Sequence, residues 1–309
     1  MSKKNDLLFS LLSKSPNQKY KRLALSPMRY AGGKSLAVGY VLELIPEDTT
    51  EIISPFIGGG SIEIALANKL GIRVQGFDIF DLLVNFWQVL EVDSNALADR
   101  LALIEPTTEN YKIIKERLKS HWLNINIIED KLDLAAFYFF NHNCSFGPGF
   151  LGWTSYVYMN SKKWNSMIHK IRTFNSPLFS VALKSFEESI LENPNTLIYA
   201  DPPYFLGGDS KMFKGIYPQR NFPIHHNSFD HNILAQLLLN HPAGFILSYN
   251  DCKEIRELYK GCNFSTPEWQ YTMGQGETRI GKNRQDLGID HIKKSHELLI
   301  WKLPNDSVE

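Results

Sequence analysis

The sequence predicts an α/β fold: a mostly parallel, Rossmann-like sheet with helices on both faces, interrupted by a mainly helical insertion. Three observations carry that expectation. Short apolar runs that read as buried strands alternate with helical patterns at both ends of the chain. A triple glycine, Gly58-Gly59-Gly60, separates one such strand from a helix, and the strand that follows ends on Asp78. From residue 82 to residue 175 the strand signal stops and helical patterns succeed one another.

At 309 residues with 43% hydrophobic content, the chain can bury one sizeable core plus a smaller inserted or appended domain. No apolar run reaches 18 residues, and the early one at residues 7–12 is too short for a signal or membrane helix, so no membrane partner is expected. Cys144, Cys252 and Cys262 lie far apart without metal spacing; they read as free thiols in a reducing cytoplasm. With 33 basic and 33 acidic residues the net charge is zero, which does not advertise a nucleic-acid partner. Local clusters are more suggestive: Lys3, Lys4, Lys14, Lys19, Lys21 and Arg22 early, Lys162, Lys163, Lys170 and Arg172 in the middle, and Arg279, Lys282, Arg284, Lys293 and Lys294 late. Each is either a solvated face or part of a surface that tracks phosphates.

Residues 1–24 form a basic extension around Leu7, Leu8, Leu11 and Leu12, open to reading as a frayed helix, an arm on DNA or a disordered tail. Tyr30-Ala31-Gly32-Gly33-Lys34-Ser35 tempts a P-loop assignment, which fails because the first glycine of that motif would fall at Met28. A glycine turn opening a helix over residues 36–44 fits better; its N–H groups and Lys34 would suit an anion, or it is a plain turn and cap. Residues 51–56 read as strand, residues 61–70 as helix with Ser61 as cap, and residues 73–77 as a second strand. Asp78 stands twenty positions after Gly58, the layout by which Rossmann-like folds let an acid accept ribose hydroxyls.

Helices are expected at 82–90, 96–104, 111–123 and 132–140. The loop at 139–153 combines Asn141 and Asn143 with aromatics and glycines, so it is a candidate groove probe or an ordinary loop that completes a core. A helix bearing Lys162, Lys163, Lys170 and Arg172 follows. Further strands are expected at 178–183, 197–200 and 244–249, helices at 229–239 and 252–259, and a closing antiparallel pair at 269–273 and 296–303. Residues 205–227 lack periodicity and read as a lid. His225, His226 and His231 have no Cys or acid at metal spacing, so exposed or capping roles are expected and no metal.

The stretch that organises the rest is Leu197-Ile198-Tyr199-Ala200-Asp201-Pro202-Pro203-Tyr204, an apolar strand running into a carboxylate, two prolines and a ring. At the carboxyl end of a parallel strand, these residues would face the crevice where open α/β sheets bind ligands. The tetrad suits attack by an exocyclic aromatic amine, a poor nucleophile because its lone pair is delocalised. A carboxylate accepting one N–H and a proline carbonyl accepting the other would aim that lone pair and stabilise the charge that develops. Tyr204 offers a stacking face. Taken alone, the four residues also fit a strand that ends in a proline turn with a surface Asp.

In order along the chain, Tyr30-Ala31-Gly32-Gly33-Lys34, Pro55-Phe56-Ile57-Gly58-Gly59-Gly60-Ser61, Asp78, Asp201-Pro202-Pro203-Tyr204 and Ser248-Tyr249-Asn250-Asp251 resemble the Dam-type (D12 class) adenine-specific DNA N6-methyltransferases of the α group. The resemblance implies a class I S-adenosylmethionine-dependent methyltransferase sheet at 25–81 and 176–309, a target-recognition domain at 82–175, S-adenosylmethionine as donor without metal, and transfer to N6 of an adenine flipped out of double-stranded DNA. It implies donor contacts from Tyr30, Lys34, Phe56, Gly58, Gly60, Asp78, Phe186 and Asp201, and catalytic roles for Asp201, Pro202, Pro203 and Tyr204. DNA contacts are expected from Asn141, Asn143, Lys162, Lys163, Lys170 and Arg172. A cognate restriction endonuclease is a candidate partner, and a monomer or weak dimer is expected. N4-cytosine methylation and a catalytically silent DNA-binding protein are the rival readings. Ser185-Phe186 replaces the family's acid-Phe pair, and the insertion lacks the pattern associated with GATC readers, so no target sequence is assigned.

Overall fold

The computed structural model describes residues 2–14, 19–205, 229–267 and 297–304. The lid expected after Phe205, the strand expected at 269–273, His225, His226 and the late basic cluster lie outside the described residues. Strands are β1 (Glu51–Ser54), β2 (Arg73–Asp78), β3 (Ser145–Phe146), β4 (Trp153–Thr154), β5 (Phe179–Leu183), β6 (Leu197–Ala200), β7 (Phe245–Asn250), β8 (Asn263–Ser265) and β9 (Glu297–Lys302). The chain divides into two compact units. One comprises Met1–Leu23, Lys34–Pro55 and Glu187–Glu309; the other comprises Ala24–Gly33 and Phe56–Phe186.

In the first unit β6 lies between β1 and β7 and runs parallel to both, with Ile53 opposite Ile198 and Ala200 opposite Leu247. β6 and β7 are buried along their whole length. That is why β6 and the first half of β7 read as continuous apolar runs rather than as an alternation. β9 is antiparallel to β7 on one side and to β8 on the other. The antiparallel closure expected for β9 is present, but its outer partner is β8, which at three residues is too short to give a periodic signal. This geometry brings the end of β7 and the start of β9 to one edge, where Asn250 and Glu297 are direct cross-strand partners.

The described residues of the N-terminal segment pack against the rest of this unit. Ser2 caps the helix Lys3–Leu11, whose Lys4 ammonium donates to the Ile45 carbonyl at 2.6 Å and the Glu43 carbonyl at 3.1 Å. Tyr20 is buried against Gly39 and donates its hydroxyl to Glu43 at 2.6 Å. The segment is therefore a helix and strap docked on Val38–Leu44.

In the second unit β2 and β5 pair in parallel from Val74 opposite Phe179 to Asp78 opposite Leu183. Helices follow at Asp81–Val92, Ser94–Ala102, Thr108–Trp122, Lys131–Asn143 and Ser161–Arg172. The last four begin on side-chain caps from Asp93, Thr107, Asp130 and Asn160, each worth about 1 kcal/mol. Their core is aromatic: Phe86 stacks on Phe139 at 5.3 Å, and Trp87 meets Phe179 edge-on at 5.3 Å. Two expectations need correction. Ser61 is not a cap but the first helical residue, because Gly60, with φ 62°, takes the cap position. The region expected to be mainly helical, with no strands between its helices, contains the small β3–β4 ladder.

No helix among the described residues is long and apolar enough to cross a membrane.

Candidate active site

The tetrad leaves β6 directly after Ala200 and is gripped from three sides within the first unit. Asn250 clamps the next residue, accepting from the Phe205 N–H at 2.9 Å and donating to the Phe205 carbonyl at 3.1 Å. Tyr204 is buried, stacks on Tyr249 at 6.0 Å and donates its hydroxyl to Glu297. The Lys34 ammonium lies 2.7 Å from the Asp201 carboxylate, 3.5 Å from Glu297 and 4.9 Å from the Tyr204 ring centre. Lys34 thus pairs with two carboxylates of the protein itself.

Burial pushes the Asp201 carboxyl up from its ordinary 3.8 to about 6, with Lys34 pulling it down and Glu297 pushing it further up. At neutral pH the group is ionised, yet it binds a proton more avidly than a surface carboxylate. Its side chain keeps 22% of its surface exposed, enough for a substrate atom to reach it. Such a carboxylate is a strong hydrogen-bond acceptor in a low-dielectric setting, able to stabilise charge on an attacking amine.

The second unit builds a different element around Gly58. Its N–H donates to the Asp78 carboxylate at 3.3 Å, and its carbonyl accepts from the Trp87 indole at 3.0 Å. Tyr30 covers its Cα, so a side chain at Gly58, with φ 43°, is excluded both by conformation and by the ring. A Cβ at Gly59 would lie 2.5 Å from Tyr30 Cβ. Asp78 also accepts from the Phe80 N–H at 3.0 Å, and a carboxylate is the acceptor type that diol hydroxyls need. Phe56 and Phe186 are both half-buried and face each other at 5.6 Å and 30°, presenting flat apolar surface suited to a purine. This donor set fits a nucleoside. Gly60 contributes the left-handed turn that opens the helix Ser61–Ala65.

The sequence profile of the D12 class N6 adenine-specific DNA methyltransferases matches residues 30–273, a span that holds the tetrad, Lys34, the Gly58 turn and Asp78. The chain belongs to that family. It is also similar to the Type II methyltransferase M.FokI of Planomicrobium okeanokoites, 23% identical over 205 residues. That match covers 59% of this chain and 29% of the M.FokI protein, so the chain spans under a third of that relative.

The residues expected to contact DNA separate into two groups. Asn141 and Asn143 are fully buried in the last turn of the helix Lys131–Asn143, not in a loop. Asn141 accepts from the Leu151 N–H at 2.8 Å, and Asn143 accepts from the Arg29 N–H at 2.7 Å while donating to the Phe139 carbonyl at 3.0 Å. The Asn143 amide is committed on both its oxygen and its nitrogen, the Asn141 amide on its oxygen only, its nitrogen being buried without a partner; neither amide reaches the surface. Lys162, Lys163 and Lys170 are exposed on the helix Ser161–Arg172, whereas Arg172 is paired with Asp99 at 2.6 Å.

Several residues escaped the sequence reading. Glu297 is one, because a glutamate starting a distant strand carries no local signal. Arg29 is another: its guanidinium stacks on Tyr158 at 3.5 Å and donates to the Asn143 carbonyl. His142 is a third, stacked on Tyr30 at 5.4 Å and pushed down to about 3 by burial, then by Arg29. Phe146 and Trp153, by contrast, belong to the aromatic stretch expected to probe the groove, and they are cross-strand partners with exposed rings. His231 neither caps nor faces solvent fully; Asp230 is the cap, and the His231 Nδ1 pairs with the Tyr249 hydroxyl. The three cysteines are free, and no cluster of three or more His, Cys, Asp or Glu suited to a metal occurs among the described residues.

Proposed function

We propose that this protein methylates N6 of an adenine in double-stranded DNA, using S-adenosylmethionine as donor. The observation that carries the reading is the ionised, part-buried Asp201 carboxylate at the carboxyl end of β6, followed by Pro202, Pro203 and Tyr204 in a segment that Asn250 and Glu297 tie down. When bound, the donor supplies an electrophilic methyl group on a sulfonium. Asp201 accepts one N–H of the target amine and the Pro202 carbonyl the other, so the nitrogen lone pair is directed out of the ring plane. As positive charge grows on that nitrogen, the carboxylate stabilises it without having to reorganise. Tyr204 and Pro203 fix the turn on which the base is received. Flipping the adenine costs a few kcal/mol of stacking, which contacts in such a pocket must recover.

Asp78 would take the donor's ribose hydroxyls, Phe56 and Phe186 its adenine, and Tyr30 with the Gly58–Gly60 turn would set how closely it approaches. Lys34 would act at the tetrad rather than on the donor's carboxylate. The helical region 82–175 would be the inserted target-recognition domain, with Lys162, Lys163 and Lys170 on phosphates and Phe146 and Trp153 wedging against bases. A cognate endonuclease would be a partner if the chain serves restriction and modification. A monomer is sufficient for the chemistry described.

The test is transfer of tritiated methyl to DNA followed by digestion to nucleosides. N6-methyldeoxyadenosine is the expected product. N4-methyldeoxycytidine, or donor-independent DNA binding with no transfer, would overturn the reading. Single-molecule sequencing of DNA from expressing cells would report the motif.

A further inference from the structure

The Lys34 ammonium is shared between two carboxylates, and only one of them belongs to the tetrad. Glu297 is 1% exposed, stands at the first position of β9, and touches both Lys34 and the Tyr204 hydroxyl. A lone ammonium at 2.7 Å would neutralise Asp201 and compete with an incoming amine for its oxygen. A second carboxylate 3.5 Å away divides that pull. We propose that Glu297 is a positioning residue, which draws charge from Lys34 so that Asp201 stays a strong acceptor and which fixes Tyr204 through its hydroxyl. This rests on the reading of Asp201 as the amine acceptor.

The titratable groups packed around Lys34, Asp201 and Glu297 come from four parts of the chain. They are Lys34 before the helix Val38–Leu44, Tyr204 beyond β6, Glu297 on β9, and Tyr249 on β7, which stacks on Tyr204 and pairs with His231. Burial and Glu297 raise the Asp201 carboxyl and Lys34 lowers it, so removing the Glu297 charge must let it fall.

The experiment compares wild type with Glu297→Gln in two ways. The Asp201 carboxyl is titrated by carbon-13 NMR, assigned with Asp201→Asn, and the pH profile of kcat is recorded with KM for donor and DNA. The expected result is a lower Asp201 titration midpoint, an acid limb of kcat moved to lower pH, and a kcat loss of about 10²-fold with KM for the donor unchanged. An unchanged midpoint and limb in a folded variant would overturn the proposal even if kcat falls, since that pattern marks a purely structural role. If Glu297→Gln does not fold, Tyr204→Phe carries the test: a Glu297 deprived of its hydroxyl donor draws Lys34 closer, so the Asp201 midpoint rises, and no change overturns the idea. The titration does not require turnover, so a wild type without methyl transfer would defeat the proposed function while leaving the role of Glu297 decided separately.

Discussion

Around Asp201 the protein buries charge; around Gly58 it uses backbone groups and ring faces. The first arrangement holds an ammonium between two carboxylates in the interior, with the tyrosine and asparagine beside it each committed to a neighbour. The second offers one carboxylate at a strand end, with a glycine whose N–H, carbonyl and Cα each meet a neighbouring group. A charge network changes its properties with pH and with the loss of any one member, because a buried ion left unpaired is costly. A glycine turn is insensitive to pH but intolerant of volume. The contrast matches the two tasks assigned: polarising a nucleophile, and admitting a nucleoside of fixed shape.

The largest expected effect tests the charged side. Asp201→Ala should lower methyl transfer by about 10²–10⁴-fold while gel-shift affinity for DNA stays near that of wild type. Substantial residual turnover would contradict the carboxylate's role. Next comes pH. With Asp201 at about 6, kcat should fall about tenfold per pH unit below that value. The same group makes a stability prediction. Its native pKa lies above the ordinary 3.8, so the stability it confers is present below about 3.8 and lost as pH rises through about 6. Asp201→Asn should therefore raise the melting temperature at pH 8, equivalent to at most about 3 kcal/mol of stability, and have little effect at pH 3.5. A variant less stable than wild type at pH 8 would break the comparison.

On the shape-based side, Asp78→Ala should weaken donor binding by about 10–100-fold in calorimetry, the worth of a charge-assisted hydrogen-bond pair. The acid limb of kcat should not move, which sharpens the separation from Asp201. The smallest effect belongs to the exposed lysines. Lys162→Ala with Lys163→Ala should lower DNA affinity modestly and flatten its dependence on log salt by about one for each phosphate no longer neutralised. An unchanged slope would remove this helix from the interface.

Where local pattern carries information, the sequence was legible. β6 is an apolar run that stops at Asp201 and two prolines, β2 ends on Asp78, and four helices between residues 94 and 172 start on Asp, Thr or Asn caps. Asn141 and Asn143 were misread because a loop and the last turn of a helix share the same polar, aromatic composition. Only burial separates an amide that reads a base from one that holds a backbone.

By itself the sequence determined that a carboxylate, two prolines and a tyrosine follow a buried strand, and that an acid follows a glycine turn by one strand and one helix, because these depend on chain order and short-range sterics. Tertiary structure decided which charges meet. Lys34, Asp201 and Glu297 are scattered across most of the chain and are brought together at one end of the strands because β9 runs against β7 and so starts where the parallel strands end. Electrostatics depends on distance in space, and no spacing along a chain encodes that.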